Sequence, residues 1–439
     1  MRALGMGQAT GSRVRVWVAL LWLASLLASF HLPAQGQQVA LAGCPAAQIG
    51  VAAKDATPLV CRRAGKLQHG INASGWFAQA DERVDKFGGY TPDRFNNYIT
   101  DSDLALIKSL GFDHVRLGVN PQPRFDKGEA DKTPLFNESD PKNYPRAYMD
   151  LLDGAVGRIL HQGLAVIIDL HPDPGSPFKI RMKTEDDFVD KVADFWQAFA
   201  QHYSEHGKFD HDSVFFEIMN EPEFSDRYRW LGVQMKLAAA IRRGAPSNTI
   251  IAAGARWSND DELVFQEPIR DSNIIYNFHF YEPHIFTHQG ADFSTPYLRW
   301  LRDPKNPVRY PSTLDPAMTA AYQVKDSDVD HLQVIRYGSN NWGPARIETE
   351  MEQAKRWADS RGVPLICNEF GIYWKYANRN EGSDWLHWLT DVTTALKNNG
   401  IGWTMWDYSS DSFGLVKKND KNEAIVDQEV QRVLKALVR

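Results

Sequence analysis

The chain has 439 residues, a formal net charge of −6, 43% hydrophobic residues and 24% charged residues. These values are ordinary for a globular protein and exclude a largely disordered or fibrous chain. The slight acidity gives no electrostatic reason to expect nucleic acid as a partner. Three cysteines are too few for a disulfide scaffold or a four-ligand zinc site.

The N-terminus has the pattern of an export signal. Arg2, Arg13 and Arg15 precede an apolar run over residues 16–30. This run is shorter than the roughly 20 residues that a membrane-spanning helix needs, and a basic segment followed by a short apolar run is typical of a secretory signal. We therefore predict a signal peptide over residues 1–36, with a second candidate cleavage position after residue 42. The mature protein would be secreted or periplasmic.

Residues 37–64 form a lead-in segment with two of the cysteines. The tetrapeptide at 41–44, LAGC, is similar to a bacterial lipobox, in which the cysteine carries a lipid anchor. Alternatively, Cys44 pairs with Cys61 in a disulfide, which an exported protein permits. The sequence leaves both interpretations open.

A repeating unit follows the lead-in segment. Five helical stretches end at a glycine and run into a short apolar segment, with the glycines at 111, 163, 244, 362 and 400. Glycine just after a helix supplies the left-handed residue that ends it. Apolar segments at 69–72, 214–221 and 273–281 bring the predicted strands to eight. The predicted helices are 101–110, 146–162, 185–205, 224–243, 347–361, 383–398 and 424–437, with a weaker one at 260–267.

Eight strands that alternate with helices predict an α/β fold, a single (β/α)8 TIM barrel over residues 65–439. A doubly wound sheet is the rival fold, but no G-x-G-x-x-G follows the first strand. A long insertion, residues 282–345, follows strand 6. We expect it to form one wall of the active-site cleft, where Arg299, Arg302 and Arg309 could recognise acidic substituents. The alternative is that it packs against the outer helices.

Polar residues gather at the carboxyl ends of the predicted strands, where barrel enzymes build their sites. Two of them, Glu221 and Glu369, come from opposite halves of the chain and would face each other across the barrel mouth. Cleavage of a glycosidic bond needs such a pair of carboxyl groups. The full set of strand-end residues is Asn72, Arg116, His171, Asn220, Glu221, His279, Tyr281, Glu369 and Trp406.

These residues carry a resemblance to a known family. The motifs are HVRLGVN around Arg116, IIDLHPDPG around His171, FFEIMNEPE around Glu221, ICNEFG around Glu369 and WTMWDY around Trp406. Together with His279-Phe-Tyr281 they resemble glycoside hydrolase family 5, the retaining cellulase and mannanase family of barrel enzymes. The resemblance runs from about residue 65 to the C-terminus.

The resemblance implies a role for each residue. Glu221 would be the general acid/base and Glu369 the nucleophile. Arg116 and Tyr281 would hydrogen-bond Glu369, and Asn220 would hydrogen-bond the 2-hydroxyl group of the sugar at the cleavage point. The remaining members of the set would orient these groups or bind the substrate: Asn72 as a strand-end site residue, His171 and His279 lining the same subsite, and Trp406 stacking beneath the sugar ring. No metal and no cofactor is expected.

Several other residues have two interpretations. Glu217 lies four residues before Glu221, so we expect a buried carboxylate with a basic partner deeper in the barrel. Cys367 would share a face with Glu369 as a packed thiol. Tryptophans in the strand-end loops suit flat sugar platforms at outer subsites, although core packing is the default for each. These are Trp76, Trp257, Trp300, Trp342 and Trp374.

The sequence thus predicts a secreted, retaining endo-β-glycanase, with β-1,4-glucan as the first substrate. The alternatives are the same chemistry on mannan, xyloglucan, β-1,3-glucan or a bacterial exopolysaccharide. A barrel that only binds glycans is disfavoured because both carboxylates are present. We expect a monomer whose partner is a polysaccharide or oligosaccharide.

Overall fold

The computed structural model describes residues 40–44, 58–80, 87, 89–122, 134–205, 209–293, 295–301, 308–321, 324, 328–375 and 383–438. The predicted signal peptide lies outside these residues. None of the described helices combines the length and the hydropathy that crossing a bilayer requires.

Eight parallel strands form a closed barrel, in which each strand pairs with the next and the last pairs with the first. Both faces of the strands are covered, which explains their near-continuous apolar sequences. The predicted TIM barrel is confirmed. The strands are β1 His69–Asn72, β2 His114–Val119, β3 Ala165–Leu170, β4 Val214–Glu217, β5 Thr249–Ala253, β6 Ile274–Phe280, β7 Leu365–Phe370 and β8 Gly402–Met405.

Helices surround this barrel, and the long ones lie within three residues of their predicted ends except at the C-terminus. They are α1 Leu59–Ala64, α2 Pro92–Asn97, α3 Asp101–Ser109, α4 Arg146–His161, α5 Pro177–Thr184, α6 Asp186–Ser204, α7 Arg227–Gly244, α8 His284–Thr287, α9 Pro296–Trp300, α10 Leu314–Ala321, α11 Asp328–Ser339, α12 Pro344–Arg361, α13 Asp384–Asn398 and α14 Gln428–Val438. The weak prediction at 260–267 corresponds to a 3₁₀ helix, Asp260–Phe265.

The C-terminal prediction needs a correction. The segment predicted to begin the last helix at 424 instead forms an antiparallel hairpin, β9 Val416–Lys418 and β10 Ala424–Val426. The helix begins only at Gln428. The segment 424–426, AIV, pairs with β9 instead, and this pairing satisfies its backbone hydrogen-bonding groups.

The amino-terminal end of the barrel is closed by the lead-in segment. Cys44 and Cys61 form a disulfide with a Cα–Cα distance of 5.8 Å, so the pairing alternative is confirmed. Helix α1 packs with Leu41 and Leu67 against the apolar lower layer of the barrel, which includes Ile167. A plug of apolar side chains thus seals the end opposite to the predicted site.

The insertion after β6 has two parts with different surroundings. Its first part lies at the barrel mouth, where His284, His288 and Phe293 line the cleft. Farther along, Trp342 is only 8% exposed and Trp300 packs against the main core. Among the described residues of the insertion, those that line the cleft therefore lie near β6, and Trp300 and Trp342 brace the scaffold.

Candidate active site

The floor of the barrel mouth is organised around one buried cation. Arg116 on β2 is fully buried, and its Nε and Nη2 donate to the two carboxylate oxygens of Glu217 at 2.8 and 2.9 Å. Its Nη1 donates to Glu369 at 2.6 Å, and Asp169 lies 2.9 Å away. A single guanidinium that meets three carboxylates compensates for their burial. Glu217 is thus the buried carboxylate with a basic partner that the sequence predicted.

Two asparagines complete this floor. The Oδ1 atoms of Asn72 and Asn220 each accept a hydrogen bond from Arg116 at 2.9 Å. Asn72 also donates to the backbone carbonyls of Asn368 and Met405. It is 1% exposed, so this predicted site residue orients Arg116 from below the cleft.

Glu369 at the end of β7 is held from two sides. Besides the bond from Arg116, its Oε2 accepts a hydrogen bond from the Tyr281 hydroxyl at 3.0 Å. Both predicted contacts are therefore present. The Nδ1 atom of His279 lies 3.4 Å from Oε2. These neighbours fix the orientation of the carboxyl group while it remains at the cleft surface.

A β-bulge aims Glu369 into the barrel. On β6, Phe278 and His279 are consecutive, but their partners on β7 are Cys367 and Glu369. The extra residue lets Asn368, which donates to Glu217 at 2.8 Å, and Glu369 both face inward. Cys367 packs instead in the main core and does not share a face with Glu369, which corrects the expectation from simple alternation.

Glu221 lies four residues after the end of β4, in left-handed backbone with φ +44°. Its Oε1 lies 3.2 Å from Nδ1 of His279, and its backbone carbonyl accepts a bond from Lys179 at 3.0 Å. Burial raises the pKa of the Glu221 carboxyl, although Lys179 and His171 act in the opposite direction. A raised pKa keeps a proton available for donation.

His171 lies beneath the cleft and does not line it, which differs from the prediction. Burial, reinforced by the Arg116 charge, lowers its pKa to about 4, so the ring is neutral. Nδ1 lies 2.7 Å from Asp169, and Nε2 faces the amides of Gln79 and Asn220 at 3.1 and 3.2 Å. A ring that donates from Nδ1 accepts at Nε2, and this fixes which way the Asn220 amide points.

Above this floor, the cleft has a volume of about 1380 Å³. Trp406 borders it, with its ring parallel to that of His171 at 5.8 Å. Trp257 also borders it and is 49% exposed. The other four candidate platforms are wrong as cleft residues: Trp76 is fully buried and bonded to a backbone carbonyl, Trp342 and Trp374 are buried, and Trp300 packs on the core.

Glu221, His279 and Glu369 converge closely. One carboxyl oxygen from each glutamate and one ring nitrogen of His279 lie within 4.8 Å of one another. In the part of the chain that the structure describes, this is the one group of His, Cys, Asp and Glu side chains able to hold a metal ion. The expectation of a metal-free site stays a prediction.

Comparison with known proteins identifies the family. Residues 78–412 match the family described as Cellulase (glycosyl hydrolase family 5). The chain belongs to glycosyl hydrolase family 5. The resemblance read from the strand-end motifs is thereby confirmed.

Two relatives and one solved structure match this family 5 protein over most of their own length. Endoglucanase C of Acetivibrio thermocellus is 24% identical over 370 residues, 83% of this chain and 97% of that protein. Cellodextrinase A of Ruminococcus flavefaciens is 24% identical over 76% of this chain and 82% of its own length. The structure of an endoglucanase from Thermotoga maritima superposes with a TM-score of 0.61 at 19% identity, covering 85% of this chain and 98% of that one.

Sequence reasoning missed several residues of this family 5 site. Gln79, with φ +55°, and Lys179 reach the floor from loop and helix positions that no strand-end rule covers. Asp407 follows β8 next to Trp406 and is fully buried, in contact with Ser74 and bonded to Ser410. The motif WTMWDY contained Asp407, but its burial could not be inferred from an exposed-looking loop sequence.

Proposed function

We propose that this enzyme is a retaining endo-β-glycanase that hydrolyses β-1,4-glucan. One observation carries the mechanism: a carboxyl oxygen of Glu221 and a carboxyl oxygen of Glu369 lie within 4.8 Å of each other at the floor of an open cleft. Retaining glycosidases hold this pair about 5–5.5 Å apart, whereas inverting enzymes need about 6.5–9.5 Å to admit a water molecule. The short separation supports double displacement.

In this proposal, Glu221 is the general acid/base. Because its pKa is raised, the Glu221 carboxyl group retains the proton that it donates to the leaving oxygen as the glycosidic bond breaks. Glu369 is the nucleophile, and the donors Arg116 and Tyr281 hold its oxygens ready for attack on the anomeric carbon. Water, deprotonated by Glu221, then hydrolyses the glycosyl-enzyme.

The neighbouring residues position the sugar. Asn220, fixed between Arg116 and His171, has one amide hydrogen left for the 2-hydroxyl group. Trp406 offers a ring at the floor on which the sugar can stack. These roles use only side chains and water.

The choice of β-1,4-glucan rests on the relatives and on the cleft. Several relatives are named endoglucanases, including Endoglucanase 3 of Fibrobacter succinogenes, 25% identical over 369 residues. The cleft is lined by residues that follow strands on both sides of β4 and β7, with Trp257 after β5 and Phe87 and Tyr98 after β1. A cleft of this kind suits internal segments of a polymer. Mannan is a second candidate because a related Thermotoga maritima structure was solved in complex with mannotriose.

A reducing-end assay over soluble β-1,4-glucan, mannan, xyloglucan and β-1,3-glucan tests the substrate. We expect the highest kcat/KM on β-1,4-glucan. Glu369→Gln and Glu221→Gln should each lose at least about 10³-fold in kcat on the polymer. The exposed Glu423→Gln is the matched control and should retain full activity. Full activity in Glu369→Gln would rule out the assigned roles.

We also propose that the enzyme is exported as a soluble protein. The basic and apolar N-terminal segments support export, and the Cys44–Cys61 disulfide suits an oxidising compartment. Intact-mass measurement of the mature protein should give an N-terminus after residue 36 or 42 and a mass two hydrogens below that of the reduced chain. A diacylglyceryl mass on Cys44 would instead establish a lipid anchor.

A further inference from the structure

Carboxylates dominate the cleft surface. Among the described residues that line it, six carry a carboxyl group and one carries an ammonium group. The carboxyl groups belong to Glu221, Asp260, Glu282, Glu369, Asp411 and Asp420, and the ammonium group to Lys418. Glu221 and Glu369 belong to the proposed catalytic pair, which leaves four acidic side chains that the chemistry does not use.

The one ammonium group does not offset this excess. Lys418 on β9 is 16% exposed and contacts Asp103, which is 2% exposed, so its charge is already matched by a buried carboxylate. Arg256, beside the cleft residue Trp257, is turned toward the buried Glu262. These cations are committed to carboxylates inside the protein.

The histidines of the rim add no positive charge near neutral pH. Burial lowers the pKa of His284, although Glu221 acts in the opposite direction. Burial also lowers the pKa of His288 well below its usual value, and its stacked neighbour His284 acts in the same direction. Both rings face the cleft and are neutral, so neither contributes a positive charge that could bind an anion.

The acidic groups lie on both sides of the cleavage point. Asp411 and Asp420 follow β8, whereas Asp260 and Glu282 follow β5 and β6. Burial, with the nearby charges of Glu350 and Glu282, raises the pKa of Asp260 to about 7. Asp260 is therefore only partly ionised near pH 7, and its negative charge adds to that end of the cleft mainly above this pH. A polyanionic chain that lies in the cleft would therefore meet negative charge on either side of the carboxyl pair.

The insertion arginines that we expected to recognise acidic substituents do not offset the negative charge of the cleft. Arg309 pairs with Asp384 at the start of the outer helix α13. Arg299 lies on α9 and does not line the cleft, and Arg302 lies outside the described residues.

We infer that the cleft selects neutral or ammonium-bearing β-glucans and discriminates against polyanionic ones. The inference rests on the proposed function, because it concerns the substituents of the polymer that this site hydrolyses. Clefts lined by charge of one sign raise the local concentration of oppositely charged substrates and lower that of like-charged ones. This inference is the opposite of the expectation that the insertion arginines recognise acidic substituents.

The test compares three soluble celluloses with matched length and degree of substitution: hydroxyethyl, carboxymethyl and quaternary-ammonium hydroxyethyl cellulose. At about 20 mM NaCl, kcat/KM on the carboxymethyl polymer should be at most about one fifth of that on the hydroxyethyl polymer. Raising NaCl to about 300 mM shortens the screening length from roughly 20 Å to below 10 Å and should raise this ratio at least about twofold. The ammonium-bearing polymer should show the opposite salt dependence.

Charge variants separate electrostatics from shape. The double variant Asp411→Asn with Asp420→Asn should raise the carboxymethyl-to-hydroxyethyl ratio about twofold to threefold at low salt. Asp150→Asn with Asp187→Asn is the matched control, because it makes the same change in net charge at exposed positions on α4 and α6. The control should leave the ratio unchanged.

Other outcomes have defined meanings. A ratio near one at low salt, or a low ratio that neither salt nor the cleft variant changes, would overturn the electrostatic inference. An equal change in the control variant would do the same, because net charge and not the cleft would then be responsible. No hydrolysis of hydroxyethyl cellulose or any other neutral β-glucan would contradict the proposed function itself.

Discussion

The floor and the rim of the cleft hold their side chains in different ways. Floor residues such as Arg116 and Glu369 lie on strands, are buried, and bond to several partners each. Rim residues such as Trp257 and Asp420 lie on loops and are exposed. The barrel therefore fixes the bond-breaking chemistry, whereas the connecting segments decide which polymer can reach it.

Parts of the rim are nevertheless rigidly built. Arg256, Trp257 and Ser258 all have left-handed backbone, with φ of +46°, +59° and +59°. Three contacts hold this turn. The Trp257 amide donates to the Pro222 carbonyl, the Ser258 carbonyl accepts from the His279 amide on β6, and Arg256 pairs with Glu262. Non-glycine residues pay an energetic penalty in this region of φ/ψ space, so surrounding contacts must maintain the conformation.

The largest expected effect comes from removing the cation of the floor. Arg116→Met should lower the free energy of unfolding by about 3–5 kcal/mol, because Glu217, Asp169 and Glu369 would lose their shared partner. It should also abolish measurable glycanase activity. Urea denaturation and a reducing-end assay measure the two losses.

Arg356→Met provides the control for Arg116→Met. The Arg356 side chain is 63% exposed and pairs with Glu352 at the surface of α12, and exposed ion pairs contribute about 0–1 kcal/mol. If Arg116→Met cost no more than Arg356→Met, the floor would not be the interdependent network that we describe.

The next largest effect distinguishes the two parts of the insertion. Trp342 is buried and stacks against the guanidinium of Arg346 at 4.4 Å. Trp342→Ala should destabilise the fold by about 3 kcal/mol, with relative rates among polysaccharides unchanged in the remaining folded enzyme. Thermal unfolding and the substrate panel test this. An altered substrate preference without loss of stability would restore the idea that this part of the insertion contacts the polymer.

Trp257→Ala should act on the substrate and leave stability unchanged. We expect kcat/KM on soluble β-1,4-glucan to fall roughly threefold to tenfold, since stacking on an aromatic ring contributes about 0.5–1.5 kcal/mol. Hydrolysis of a small aryl glycoside should change much less. Tyr228→Ala, at an aromatic residue that is 86% exposed and outside the cleft lining, is the control. Equal losses on both substrates would exclude an outer-subsite role.

The smallest effect concerns Asp407 beneath Trp406. Burial raises its pKa to about 7, so the carboxyl group stabilises the fold while protonated and loses that contribution as pH rises from about 4 through 7. Asp407→Asn keeps the shape of the protonated group. Its Tm relative to the wild type should therefore increase by about 2–4 °C between pH 5 and pH 8. A difference that is constant with pH would mean that Asp407 is ionised throughout.

The sequence predicted the floor better than the rim, for physical reasons. Alternating strands and helices determine a barrel, and a barrel places strand-end residues such as Arg116, Glu221 and Glu369 around one axis. The contacts of Glu369 with Arg116 and Tyr281, by contrast, were predicted from the family resemblance and not from the barrel geometry. What alternation could not supply was the β-bulge at Asn368, which separates Glu369 from Cys367.

Predictions for the rim depended on loop packing, which composition does not determine. Trp76, Trp342 and Trp374 looked like sugar platforms because they follow strands, yet each is buried against other loops or helices. Only Trp257 among the outer-subsite candidates reaches the cleft. Trp257 lies in the left-handed turn at 256–258, which contains no glycine that would have predicted such a turn from the sequence.

The proposed double displacement can be tested through the stereochemistry of the product. Proton NMR of freshly hydrolysed cellopentaose records the anomeric configuration before mutarotation. Because the Glu221 and Glu369 carboxyl groups lie close together, we predict that the β-anomer appears first and the α-anomer only later. Initial formation of the α-anomer would establish inversion and contradict the assignment of Glu369 as the nucleophile.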